Sequence, residues 1–122
     1  MSAFEKRTVA ISNHHENMLK RIQKQFDFSQ EQEVYKFALG FAVSKKIETP
    51  TSPMPMQRTT KWASGNFDAN GEVSSLISTL YPDADDIRLQ AMILAEAGLV
   101  RINDFLDHNE EVDTLSDLLE LT

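Results

Sequence analysis

Three prolines placed close together interrupt the helical pattern of this chain near its middle. Pro50, Pro53 and Pro55 lie among Thr, Ser and Met residues near the middle of the sequence. Proline lacks a backbone N–H and fixes φ, so this stretch excludes a helix and disfavours a central strand. We predict an extended, proline-rich arm over residues 48–62 that packs within the chain in preference to a second copy.

The arm carries three side chains suited to contact with an apolar surface: Met54, Met56 and Trp62. Thioether and aromatic side chains fill irregular apolar surfaces and anchor interfaces. Packing of Trp62 within the chain is favoured over stacking on a nucleobase, because the arm must be tethered. We take these three residues as candidate partner contacts.

The segment before the prolines begins with a predicted strand. Residues Lys6 to Ile11 are rich in β-branched side chains, and Val9 and Ile11 fall on one face of an extended chain. We therefore expect Lys6, Thr8 and Ala10 to point outward.

A first amphipathic helix is predicted to follow over residues 13–25. Ser12 or Asn13 can cap it, and Glu16 stands at the capping-box position relative to Asn13. Apolar residues then recur at helical spacing.

A second helix is predicted from a cap at Ser29, with Gln32 three residues later, to about Lys46. Its apolar residues form a stripe with i, i+3, i+4 spacing, from Val34 to Ala42.

Beyond the prolines, the spacing predicts three more helices. One is short, at residues 73–80; the longest spans about 87–106; and a leucine-rich helix closes the sequence at 114–121. Gly98 either ends or only weakens the long helix. The acidic residues 107–113 are predicted to form a loop.

These elements predict a mainly α fold in one domain, residues 1–122, because the length corresponds to about one domain. Its parts are a short N-terminal strand followed by two helices (1–47), the proline-rich arm (48–62) and a three-helix acidic C-terminal part (63–122).

Charge is distributed unevenly along the chain. The net charge is −7, but the first 50 residues carry eight Lys/Arg against six Asp/Glu, whereas the remainder carries four against thirteen. An acidic surface repels the nucleic-acid backbone, so DNA contact would have to come from the first half or through a partner.

The sequence has no cysteine and no apolar run of the length that spans a bilayer, and its first residues lack the pattern of a secretory signal. We expect a soluble, cytoplasmic protein that does not contact a membrane.

Neither the histidines nor the acidic cluster forms a metal-binding or catalytic motif. His14 and His15 are adjacent, so their side chains point about 100° apart on a helix, and His108 is distant in sequence. The cluster Asp83, Asp85 and Asp86 lacks the glycine and distal glutamate of a calcium loop. Helix capping is its favoured role, although cation binding stays open. We expect no enzyme activity, cofactor or metal.

The order strand, helix, helix resembles ribbon-helix-helix regulators, in which paired strands of two chains enter the DNA major groove. This resemblance implies a dimer that binds DNA. Its candidate DNA contacts are Lys6, Thr8, Lys20, Arg21 and Lys24.

The chain as a whole also resembles small accessory proteins associated with bacterial DNA phosphorothioation (Dnd) systems, which modify the DNA backbone with sulfur and restrict invaders. The resemblance covers nearly the whole chain. It rests on the residue types and spacing of the predicted helices and the residues beside them, at these positions: 16–20, 35–42, Lys45 and Lys46, Trp62, 96–99 and 115–119. It implies a non-enzymatic accessory or adaptor subunit of a DNA-modification or antiphage defence complex. Other proteins of that complex would be its partners, with a homodimer or indirect DNA contact as further options.

Overall fold

Helices make up most of the described chain, as the sequence predicts. The computed structural model describes residues 8–46, 58–63, 67–68, 70–84 and 86–108. The elements in chain order are β1 (Thr8–Ser12), α1 (Asn13–Gln25), α2 (Glu31–Ser44), β2 (Arg58–Ala63), α3 (Glu72–Leu80) and α4 (Ile87–His108). The predicted helix at 114–121 lies outside the described residues, as do Lys6, Met54 and Met56.

Helix α1 has the bounds predicted from its cap and its apolar spacing. Of the two candidate caps, Ser12 is the one used: its Oγ accepts a hydrogen bond from the His15 backbone N–H at 3.3 Å. Leu19 and Ile22 are fully buried on one face of the helix. The predicted helix 13–25 is therefore confirmed, with a hydroxyl that satisfies one free N–H of its first turn.

The predicted cap of α2 at Ser29 is wrong. The helix begins at Glu31, and the preceding Gln30 makes no side-chain cap. The Ser29 hydroxyl donates to the Glu33 carboxylate at 2.5 Å, so it serves a side chain and not the free backbone N–H groups. Because the helix begins two residues after Ser29, this hydroxyl does not occupy the N-cap position, and it donates to a side chain instead of accepting from a backbone N–H.

Part of the predicted arm is a β-strand. β2 pairs antiparallel with β1, with Thr8 opposite Ala63 and Val9 opposite Trp62, and the register shifts between Val9 and Ala10. Residues 58–62 of the predicted arm are thus extended and pack within the chain, but the sequence does not predict their pairing with β1. This segment follows Pro55, the third proline of the arm, so its backbone N–H groups remain available, and a two-stranded sheet contains only edge strands.

The core is centred on the crossing of α2 and α4, the most extensive contact between elements. Small residues let these helices approach closely: a Cβ at Gly98 would lie 2.0 Å from the Ala38 carbonyl oxygen. The long helix continues through Gly98 to His108. This glycine is thus required by helix packing and does not end the helix, and Asp107 and His108 belong to α4 and not to the predicted loop.

Helix α3 is held at its start by a buried carboxylate. Asp68 Oδ1 accepts from Val73 N at 2.8 Å, while Oδ2 accepts from the backbone N and the hydroxyl of Ser74 at 3.1 and 2.5 Å. Gly71 precedes the helix with φ of 72°, a left-handed conformation that favours glycine. Ile77 is the buried residue of this helix, so α3 lies at the edge of the core.

We expect Asp68→Ala to lower the free energy of unfolding by about 2 kcal/mol, because three donors lose one buried acceptor. Asp86→Ala is the matched control, since Asp86 caps α4 by accepting a hydrogen bond from Leu89 N at 3.1 Å and is less buried than Asp68. This control should lose about 1 kcal/mol or less in urea denaturation. Equal losses in the two variants would contradict the proposed role of Asp68.

Candidate functional site

A buried polar cluster joins the start of α1 to the middle of α4. Glu96 is only 4% exposed, and its Oε2 accepts from the Ser12 backbone N–H at 3.0 Å. The same oxygen lies 3.2 Å from His15 Nδ1. The Ser12 hydroxyl also contacts His15 Nδ1. A carboxylate that would be costly to bury alone is thus stabilised by two partners, one at the end of β1 and one in α1.

The cluster contains a serine, a histidine and a glutamate, but its geometry differs from that of a catalytic triad. In a triad the serine and the acid lie at opposite ring nitrogens, so that the histidine can relay a proton. Here Ser12 and Glu96 both contact Nδ1 of His15. Neither of two open concavities in the described part of the chain is lined by these residues. The cluster therefore fits a structural role that joins β1, α1 and α4.

The candidate DNA-contact residues of α1 are largely engaged within the chain. Lys20 Nζ lies 3.4 Å from Glu16 Oε1, one helical turn away. Arg21 reaches α4, where it contacts Asp107 at 2.6 Å and Asn103 at 3.0 Å. Lys24 is exposed. Thr8 lies in β1, paired with β2 through the backbone, and its side chain is outside the described part.

The remaining histidines and the acidic cluster do not converge. His14 and His15 meet edge to face, with ring centroids 5.3 Å apart, whereas His108 contacts the Asp104 carbonyl near the end of α4. Among the described residues, no group of three or more His, Cys, Asp or Glu side chains is arranged to hold a metal ion.

The acidic cluster has one member that caps a helix. Asp86 caps α4, in agreement with the favoured reading of the sequence. Asp83 is exposed in the preceding turn, and Asp85 lies outside the described residues.

The outer face of α3 exposes two leucines one helical turn apart. Leu76 is 38% and Leu80 47% exposed, while the neighbouring Ile77 is fully buried. Leu89 at the start of α4 is also 38% exposed. The i, i+4 spacing places Leu76 and Leu80 side by side, so they form one exposed apolar patch beside the buried Ile77.

This patch lies in an open, shallow groove. Its lining is mixed, with apolar, hydroxyl, amide and acidic residues: Asn70, Gly71, Glu72, Ser75, Leu76, Thr79 and Leu80. We call this groove and its two leucines the α3 face. The sequence pattern at 73–80 predicted the helix but not its exposed leucines, because a helical stripe does not show how much of it the core covers.

Of the candidate partner contacts, Trp62 lies in β2 opposite Val9, and its side chain is outside the described part. Met54 and Met56 precede β2 and likewise lie outside the described part. These predictions therefore remain predictions.

No helix in the described part of the chain combines the length and apolar character needed to cross a membrane. Comparison with known proteins adds no family: no family model, curated protein or solved structure matches this chain. The α3 face and the buried cluster are thus the structural basis for proposals about function.

Proposed function

We propose that this chain is a non-enzymatic accessory or adaptor subunit that acts through protein–protein contacts. The α3 face carries the proposal, since it is the place where adjacent large apolar side chains remain accessible in the described structure. Exposed apolar patches with a polar rim are typical of interaction sites. A protein that covered Leu76 and Leu80 would bury apolar side chains that are exposed in the described part of the chain.

The polar chemistry of the described residues supports the same reading. Glu96, the buried carboxylate, is occupied by Ser12 and His15 and does not line either open concavity. A catalytic acid or base must reach a substrate within hydrogen-bonding distance. In this proposal the buried cluster stabilises the fold, and the α3 face binds the partner protein.

The resemblance to phosphorothioation-associated proteins supplies the biological setting of the proposal. The chain would act in the bacterial cytoplasm as part of a DNA-modification or antiphage defence complex. Its net charge of −7 fits an adaptor that holds proteins, because a like-charged DNA backbone would repel it.

A ribbon-helix-helix regulator is the second candidate, and the observed order β1, α1, α2 favours it. Regulators of that class pair the first strand with the same strand of a second chain. Here β1 pairs with β2 of its own chain, and Arg21 contacts Asp107. We therefore place the adaptor first.

We expect the full-length chain, tagged and expressed at its native level, to purify in a discrete complex by size-exclusion chromatography with light scattering. The double variant Leu76→Gln and Leu80→Gln should elute as a free chain, because an amide loses the apolar contact. Leu89→Gln, an equally exposed leucine elsewhere, is the control and should remain in the complex.

A wild-type chain that elutes alone would overturn the adaptor proposal. A complex that survives the double variant would show that contacts form elsewhere and not through the α3 face. Mass spectrometry of the complex tests whether it belongs to a DNA-modification or defence system. Restriction or sulfur-transfer proteins are expected in it, and their absence would contradict the proposed role in defence.

A further inference from the structure

We infer that the α3 face binds a short amphipathic helix whose apolar side chains are flanked by Lys or Arg. This inference rests on the proposed adaptor function and adds the chemistry of the partner. Three observations carry it: the spacing of the exposed leucines, the sign of the surrounding charge and the length of α3.

The leucine spacing matches a helix as the occupant. Leu76 and Leu80 stand one turn apart, and Thr79 lies between them in the groove lining. Helices that dock in grooves present anchors at i, i+3, i+4 and i+7, which interdigitate with such a pair. A peptide that binds by β-strand addition would instead require an open strand edge at this position, and α3 offers none.

The charged residues of the sequence segment that contains α3 have one sign. Between Ala63 and Ile87 the sequence contains five acidic side chains and no Lys or Arg. Glu72 lines the groove itself, and Asp83 is exposed in the turn after α3. Complementary positive charge on the partner would steer its approach and disfavour acidic competitors.

The size and charge of the face argue against a second copy as the occupant. Nine residues of helix span about 13 Å, which suits two or three turns of a partner helix and is small for a stable dimer interface. In a symmetric dimer through this face, Glu72 and the nearby acids of both chains would be brought together, with a net charge of −7 on each copy.

The probe is a fluorescently labelled synthetic peptide of Leu and Lys, with leucines at helical spacing. Its control has Glu at every Lys position. We expect fluorescence anisotropy with the full-length chain to show saturable binding of the Lys peptide, at least about tenfold tighter than of the Glu peptide. Binding should weaken as NaCl rises from about 0.05 to about 0.5 M.

The double variant Leu76→Gln and Leu80→Gln should weaken Lys-peptide binding by about tenfold or more, whereas Leu89→Gln should leave it unchanged. Glu72→Gln should weaken it about two- to fivefold and reduce the salt dependence. Circular dichroism checks that each variant keeps its helical content.

Equal binding of the two peptides would overturn the charge inference, and equal binding by wild type and double variant would overturn the site. A wild-type dimer in sedimentation that the double variant abolishes would identify a second copy as the occupant. A large loss of thermal stability in the double variant, with no peptide binding to the wild type, would mean that the chain covers this face itself.

The inference and the adaptor proposal can fail separately. If no basic peptide binds, but the native complex still depends on Leu76 and Leu80, then the adaptor stands and the partner is not a basic helix. If neither assay depends on these leucines, both proposals are wrong.

Discussion

Gly98→Ala should destabilise this protein strongly. The added methyl would lie 2.0 Å from the Ala38 carbonyl oxygen and 2.7 Å from its carbonyl carbon. The obstructing atoms are backbone, so a side-chain rotation cannot relieve the clash and α2 and α4 must separate. We expect the free energy of unfolding to fall by about 3 kcal/mol and the melting temperature by roughly 10 °C.

Gly40→Ala is the matched control on the exposed side of α2. Nothing lies within 4 Å of a Cβ placed there, so only the helix-forming advantage of alanine remains. This variant should be more stable by about 0.5–1 kcal/mol. Thermal and urea unfolding of both proteins provide the measurement. A neutral or stabilising Gly98→Ala would contradict the close crossing of α2 and α4.

Glu96→Ala should be comparably damaging, through lost hydrogen bonds and an unfilled space. The Ser12 backbone N–H is buried and would lose its carboxylate acceptor 3.0 Å away, and His15 would lose the same partner. A buried donor without an acceptor and a vacated side-chain volume together predict a loss of about 3 kcal/mol in the free energy of unfolding.

Glu96→Gln separates shape and hydrogen bonding from charge. The amide oxygen can still accept from Ser12 N, so this variant should lose only about 1–2 kcal/mol. Glu33→Ala removes a carboxylate from an exposed site on α2 and should change stability by less than about 0.5 kcal/mol. If Glu96→Ala unfolds no more readily than Glu33→Ala, the cluster does not hold α1 to α4.

Local signals were enough to predict most helices from the sequence. Helix α1 has its predicted bounds because the cap at Ser12 and the stripe that includes Leu19 and Ile22 agree. α3 similarly follows its apolar spacing. At Ser29 the local signal was ambiguous, since a serine near a helix start can bond either a backbone N–H or a nearby carboxylate.

The elements that were missed depend on partners distant in sequence. β2 forms because Arg58–Ala63 pairs with Thr8–Ser12, about 50 residues earlier. The local sequence after the prolines indicates extended chain but does not indicate this pairing. Glu96 contacts Ser12 across 84 positions. A glutamate within the apolar pattern of a long helix is a usable warning of a buried carboxylate, but its partner cannot be read from spacing alone.

The candidate site was also hidden from the sequence for a physical reason. Leu76, Leu80 and Ile77 look alike in a hydrophobic pattern, and only the position of α3 at the edge of the core leaves the first two exposed. The negative charge of this part of the chain, in contrast, is evident from the sequence as an excess of acidic residues beyond residue 50. Charge and exposure together specify the proposed partner.

Photo-crosslinking inside the native host tests the central claim most directly. A photoreactive amino acid is placed at Thr79, an exposed position in the groove, and in a second strain at Lys24, an exposed position on α1. The adaptor account predicts a discrete protein adduct from Thr79 that disappears when Leu76 and Leu80 are changed to Gln. A DNA adduct from Lys24 with no protein adduct from Thr79 would contradict the account and support the regulator.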